Sequence, residues 1–216
     1  NGKSLALDKA LADLSRSEQH ALLWDWEDTS MEVDRLARLG ADFDYAHVFA
    51  PRDGDNIFDF STHGFINRVI ATVEHYDAKL VIFNPFTLLV PPAGNEADAW
   101  NVPVKRVVNA CRKIIAETGA SVVVTDHQEN VDAEHAQGGK SKKALADLYI
   151  RVTRAGADYV PGRPYHFHMV NLKQAREYLP PMTAEVSGDH QSGPLRVKWG
   201  GQFERPVEPQ QPVGTF

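Results

Sequence analysis

Two short runs, Leu80-Val-Ile-Phe83 and Ala120-Ser-Val-Val-Val-Thr125, are apolar nearly throughout, with no alternation of polar residues. A strand wetted on one face alternates, whereas a strand covered on both faces does not. These runs therefore call for a parallel sheet with helices on either side. The intervening segments supply the helices. Leu7, Leu11 and Leu14 recur at helical spacing in a helix that starts at or just after Lys3. Met31, Val33, Leu36 and Leu39 mark a second helix, ended by Gly40. Phe65 to Tyr76 and Val104 to Thr118 mark two more, the latter stopped by Gly119. Ala21 to Trp26 and Tyr45 to Ala50 read as the remaining strands of this half. Strands alternating with helices close through right-handed crossovers.

Past Thr125 the pattern changes. Asp126 to Lys143 has few apolar residues and is expected to be a mobile loop. Leu148 to Arg154, Tyr165 to Asn171, Thr183 to Ser187 and Leu195 to Trp199 read as strands joined by short turns, which predicts antiparallel strands extending the parallel sheet. Pro206, Pro209 and Pro212 mark a tail without a packing pattern. The expectation is one three-layer α/β domain over residues 1–200 and a disordered Pro-rich tail over 201–216.

Composition narrows the function classes. With 216 residues, 43% of them hydrophobic, the chain can bury one core without disulfide or metal staples. Cys111 is the single cysteine, so no intramolecular disulfide forms, and a reduced, cytoplasmic setting is expected. No apolar run reaches the roughly 20 residues that span a bilayer, and no membrane partner is expected. The net charge of −6 excludes a polycation. Contact with nucleic acid would need a local basic patch or a channel made by several subunits.

The chemistry begins with Gly2-Lys3-Ser4, which runs directly into the first helix. This is the closing half of the pattern G-x-x-x-x-G-K-[ST]. Glycine lets backbone N–H groups wrap phosphates, and the helix N-terminus adds the positive end of its dipole. Lysine reaches the β/γ-phosphates, and the serine hydroxyl ligates Mg²⁺. The strand and first glycine of that pattern are expected upstream of Asn1. The plain alternative is an ordinary capped helix.

Together with the strand ending in Glu27-Asp28, the apolar strand at 80–83 and the strand ending in Thr125-Asp126-His127-Gln128, this tripeptide resembles the RecA-like P-loop ATPases. The branch it resembles is that of the plasmid replicative helicase RepA and related phage and plasmid AAA-family ATPases. The resemblance covers roughly residues 1–187 and implies ATP and Mg²⁺ as cofactors. It implies that Glu27 activates the attacking water, since a carboxylate at the C-terminal end of a strand faces the nucleotide crevice; Asp28 is assigned to capping the next helix. It implies that His127 senses the γ-phosphate. Strand 80–83 should end in the Walker B aspartate, but Asn84 stands there, so hydrolysis is in doubt. Asp25 or Asp126 could compensate, with Asp126 the preferred metal-side carboxylate beside Ser4. Lys140, Lys142 and Lys143 lie where the family places a loop that contacts DNA, and Arg176, with Lys173 second to it, lies where a basic residue acts across a subunit interface. The implied protein is a DNA-acting motor of helicase or translocase type, a homo-oligomer in a ring, hexameric, on single-stranded DNA. The rival readings are a degenerate RecA-like module that binds nucleotide or DNA with little hydrolysis, and a recombination or regulatory ATPase that forms filaments. His166 and His168 share a strand face but lack further ligands at zinc spacing.

Overall fold

A computed structural model describes residues 2–50, 60, 62–89, 101–127, 139–155, 164–174, 180–188 and 193–202. The chain order is α1 (Gly2–Arg16), β1 (Ala21–Asp25), α2 (Thr29–Arg38), β2 (Ala46–Phe49), α3 (His63–Tyr76), β3 (Leu80–Asn84), the single turn α4 (Phe86–Leu89), α5 (Asn101–Thr118), β4 (Ser121–Val124), α6 (Gly139–Leu145), then β5 (Leu148–Ala155), β6 (Tyr165–Gln174), β7 (Met182–Gly188) and β8 (Leu195–Gln202).

The first four strands form a parallel sheet in the order β2-β1-β3-β4. Every residue of β1 and of β3 is buried, as their unbroken apolar character requires. Alternate residues of each strand serve opposite layers. Leu22, Trp24, Val81 and Phe83 pack with α3 and α5, through Phe65, Val69, Val107 and Ile114 among others. Ala21, Leu23, Leu80 and Ile82 pack instead with Leu11 of α1 and Leu36 of α2. Phe83 is fully buried and meets four aromatic rings, with centroids 4.8 Å away for Phe60 and 5.4 Å for Trp24. Helix α2 stops where Gly40 adopts φ +73°, and α5 where Gly119 does the same, both conformations that favour glycine.

The last four strands depart from expectation. They do not extend the parallel sheet but form a sheet of their own, antiparallel, in the order β5-β6-β7-β8. One face carries Phe167, Ala184, Val186, Leu195 and Val197, and it packs on Leu5, Ala6 and Ala12 of α1. Helix α1 thus lies between the two sheets, with Leu11 toward the parallel one. Strand β4 pairs with β3 on one side and with no strand on the other among the described residues.

The expected mobile loop also needs correction in its second half. Residues 139–145 form α6, held by Leu145 packing on the main core and by burial of Lys142. Residues 128–138 and the tail beyond Gln202 lie outside the described residues, as do residues 90–100. No described helix is long and apolar enough to cross a membrane.

Candidate active site

In a parallel sheet all strands end on the same side, and open α/β sheets bind ligands outside those carboxyl ends. Here Asp25 closes β1, Asn84 closes β3, and Thr125, Asp126 and His127 follow β4. The first turn of α1 enters at this same side. Lys3 Nζ donates a hydrogen bond to the Asp126 carbonyl at 3.1 Å. Burial lowers the lysine's pKa, and the nearby carboxylates of Glu27, Asp126 and Glu32 work in the opposite direction. An ammonium held this way, half-desolvated and beside the N-terminal turn of a helix, is suited to an anionic ligand.

Glu27 lies just past β1. Its Oε1 is 2.6 Å from His127 Nε2, and its Oε2 accepts from Asn84 Nδ2 at 3.4 Å. Both side chains remain open to solvent, at 39% and 42% exposure, so a water can reach the carboxylate. Asp28 caps α2, accepting from the Met31 N–H at 3.1 Å, which matches its expected role and separates it from Glu27. The structure therefore brings Lys3, Glu27 and His127 to one mouth.

Asn84 occupies the centre of a buried polar network. Its Nδ2 donates to Asp25 Oδ1 at 2.8 Å, and its Oδ1 accepts from the Thr125 hydroxyl. Asp25 is fully buried and Asn84 is 3% exposed. Asp25 further accepts from the backbone N–H groups of Glu27 at 3.3 Å and Asp28 at 3.0 Å. Those two bonds turn the chain at the strand end and fix where Glu27 points. In the sequence alone, Asp25 is no more than a spare carboxylate at a strand end. Its pairing with a residue 59 positions away is visible only once the two strands are in register.

The structure places Asp126 and Lys142 against each other. Asp126 was expected to serve Mg²⁺, but its Oδ2 is ion-paired with Lys142 and its Oδ1 accepts the His127 N–H at 2.9 Å. Lys142 was expected to reach DNA. It is 7% exposed and stacks over the Phe86 ring, 3.9 Å from the centroid. Helix α6 causes both changes, because it carries the lysine inward and neutralises Asp126. Lys143 is half-buried on α6. Lys140 has its backbone in α6, but its side chain lies outside the described residues, as does Arg176 entirely. Lys173 donates to the Ala144 carbonyl at 2.7 Å, which ties β6 to α6.

A second buried cluster escaped the sequence. Arg35 of α2 bonds Asp8 of α1 at 2.8 Å and pairs with Glu32. Burial and the neighbouring Glu32 raise the Asp8 pKa well above the usual aspartate range, while Arg35 opposes them. Asp8 and Glu32 also line a cavity of about 10 Å³ together with Ser4, Asn84 and Thr125, room for about one water. The i, i+4 spacing of Ser4 and Asp8 was the available signal, since it puts both on one face of α1.

The chain also holds a larger cavity of about 510 Å³ between β4 and β5, with Lys3, Asp126 and His127 at its polar end and Val107, Cys111 and Ile150 along its apolar part. That volume falls in the range of small-ligand pockets.

The family model described as AAA domain, AAA_25, matches residues 3–133. No curated protein matches the chain. The match includes Lys3, Ser4, Asp25, Glu27, Asn84, Asp126 and His127 and ends before α6 and the antiparallel sheet. Domains of this kind use ATP and Mg²⁺, and the donor set fits both. A lysine ammonium suits phosphate oxygens, and the hydroxyl of Ser4, which lines a small cavity with Asn84 and Thr125, is an oxygen donor of the kind a hard cation takes. Bound Mg²⁺ would supply neutralising charge at the β- and γ-phosphates. Over more than half its length, and with that crevice at the carboxyl ends of its parallel strands, the chain belongs to the AAA_25 family of P-loop ATPases.

Proposed function

We propose that this domain binds and hydrolyses ATP as the motor of a DNA-acting protein in replication, of helicase or translocase type and of the RepA-like branch. The observation that carries the reading is the convergence of Lys3, Glu27 and His127. In this reading Gly2, Lys3 and Ser4 hold the triphosphate and its metal. Glu27 orients and deprotonates the attacking water. His127, bonded to Glu27, senses the γ-phosphate and passes its loss to residues 128–138 and α6. Lys140 and Lys143 contact the phosphates of single-stranded DNA, and Arg176 acts on the nucleotide of a neighbouring subunit in a hexameric ring. A cytoplasmic location follows from such a role.

Steady-state phosphate release by the full-length protein, with and without single-stranded DNA, tests this. Stimulation by DNA that Glu27→Gln abolishes supports the motor, whereas turnover indifferent to DNA removes the replication role. The Asn84 substitution favours a second reading, a module that binds nucleotide and scarcely hydrolyses it. Single-turnover release with no detectable phosphate, alongside tight ATP binding, would establish that alternative.

A further inference from the structure

The cavity of about 510 Å³ follows strand edges, not a sheet face. Successive residues of a strand point to opposite faces, so a pocket on one face touches every second residue. This one touches every residue from 122 to 127, along β4 and past its end. It also touches every residue from 145 to 152, which includes the first five of β5. Strand β4 ends the order of the parallel sheet and β5 begins that of the antiparallel one, and among the described residues neither has a strand on its outer side. Two rows of backbone N–H and C=O groups therefore border one interior space, where such groups are seldom left without partners. The side chains around its middle are apolar. Val107 and Cys111 of α5 and Met169 of β6 line it, as do Ile115, Leu148 and Ile150, which stay exposed. Burial pushes the Cys111 thiol up to about 12, as dry surroundings do.

We propose that this slot seats an extended apolar strand, the one that leads into Gly2, which pairs with β4 and β5 at once and joins the two sheets into one. Position, pattern and length select that occupant. Lys3, in the first turn of α1, lines the slot together with residues 125–127, where the chain leaves β4. A strand running parallel to β4 therefore finishes one short loop from α1. Gly2-Lys3-Ser4, as the closing half of a phosphate-binding loop, follows a strand by just such a loop. Five residues of β5 span about 17 Å, the length of an ordinary strand. A small apolar molecule would fill the space but leave both backbone edges unpaired. A strand satisfies them, and it restores the expectation that the C-terminal strands extend the parallel sheet. The proposal rests on the phosphate-loop part of the ATPase reading and not on hydrolysis.

Hydrogen–deuterium exchange on the full-length protein tests the pairing without any substitution. The outer N–H groups of β4 and β5 should exchange at least ~100-fold more slowly than those of β2 and β8, the outermost strands at the other ends of the two sheets. Exchange as fast as in β2 and β8 would overturn the proposal, and it is the outcome expected if the slot holds only a small molecule. The identity of the strand is read by photo-crosslinking. Ile150→p-benzoylphenylalanine in the full-length protein should form adducts, mapped by mass spectrometry, with residues that precede Asn1 in the same chain. Should that variant fail to fold, the same replacement at the exposed Ile115 serves instead. Adducts to a second copy, adducts only to other segments of the chain, or none from either position would overturn the assignment. ATP binding by the same protein, titrated separately, reports on the ATPase reading alone.

Discussion

The two sheets bury apolar surface by different rules, and the contrast separates chemistry from support. In the parallel sheet β1 and β3 are covered on both faces, so only their ends meet solvent. Polar residues are confined to those ends, where Asp25, Glu27, Asn84 and His127 gather. The antiparallel sheet packs one face on α1, and in this sheet, among the described residues, His166 and Glu185 stand open to solvent. Its polar residues are spread along the strands, as His166 opposite Glu185 illustrates, and converge on no single point. A site needs convergence, and the sheet that is buried twice supplies it.

The largest test of that contrast is chemical. Glu27→Gln should reduce ATP turnover by ~100- to 10,000-fold, the range for loss of a general base, while leaving ATP binding intact in an equilibrium titration. A comparable change on the antiparallel sheet, Glu185→Gln, should leave turnover near that of the unaltered protein. Equal losses would dissolve the division between the sheets.

Packing offers the next test. Phe83 and Phe167 are both fully buried, one in each sheet, but Phe83 touches four aromatic rings and Phe167 packs edge-on to Trp199 at 5.9 Å. Phe83→Ala should cost about 4–5 kcal/mol and Phe167→Ala about 3 kcal/mol in urea unfolding, within the span seen for buried phenylalanines. Similarly, Arg35→Met strands two buried carboxylates between α1 and α2 and should cost about 3 kcal/mol, measured the same way. A neutral result there would mean that Asp8, whose pKa burial already raises, does not need the guanidinium.

The smallest effect is one of pH. Each sheet holds a histidine whose pKa is lowered, first by burial and then by a second histidine: His47 beside His20, and His168 beside His166. A depressed folded pKa means that the unfolded chain takes up the proton more readily. Stability is therefore full above the unfolded value of about 6.5 and declines as pH falls below it toward the folded pKa. Thermal melts between neutral pH and about pH 5 should show a gentle fall in Tm. His47→Phe and His168→Phe should each flatten part of it, and the larger share identifies the sheet that yields first in acid.

Much of the parallel half was legible because its signals are local. Continuous apolar runs named β3 and β4, glycines at positive φ closed α2 and α5, and a carboxylate after a strand pointed to Glu27. What escaped depends on distant pairing. Whether the C-terminal strands join the first sheet or form their own is set by hydrogen bonds between segments far apart in sequence. Helix α6 was missed because a lysine counts as a surface residue until Phe86 and Asp126 are seen around it. Asp25 was undervalued for the same reason, since its meaning comes from Asn84 on the next strand.

Helix α1 fills the gap between the two sheets, with Leu11 against one and Leu5, Ala6 and Ala12 against the other. Interiors packed to crystal-like density hardly compress. A piston-like slide or tilt of this helix, begun at Lys3, therefore cannot be absorbed along its length. A shift of its first turn would press on Phe167 and Val186, which share a core cluster with Leu5, Ala6 and Ala12, and so reach the antiparallel sheet.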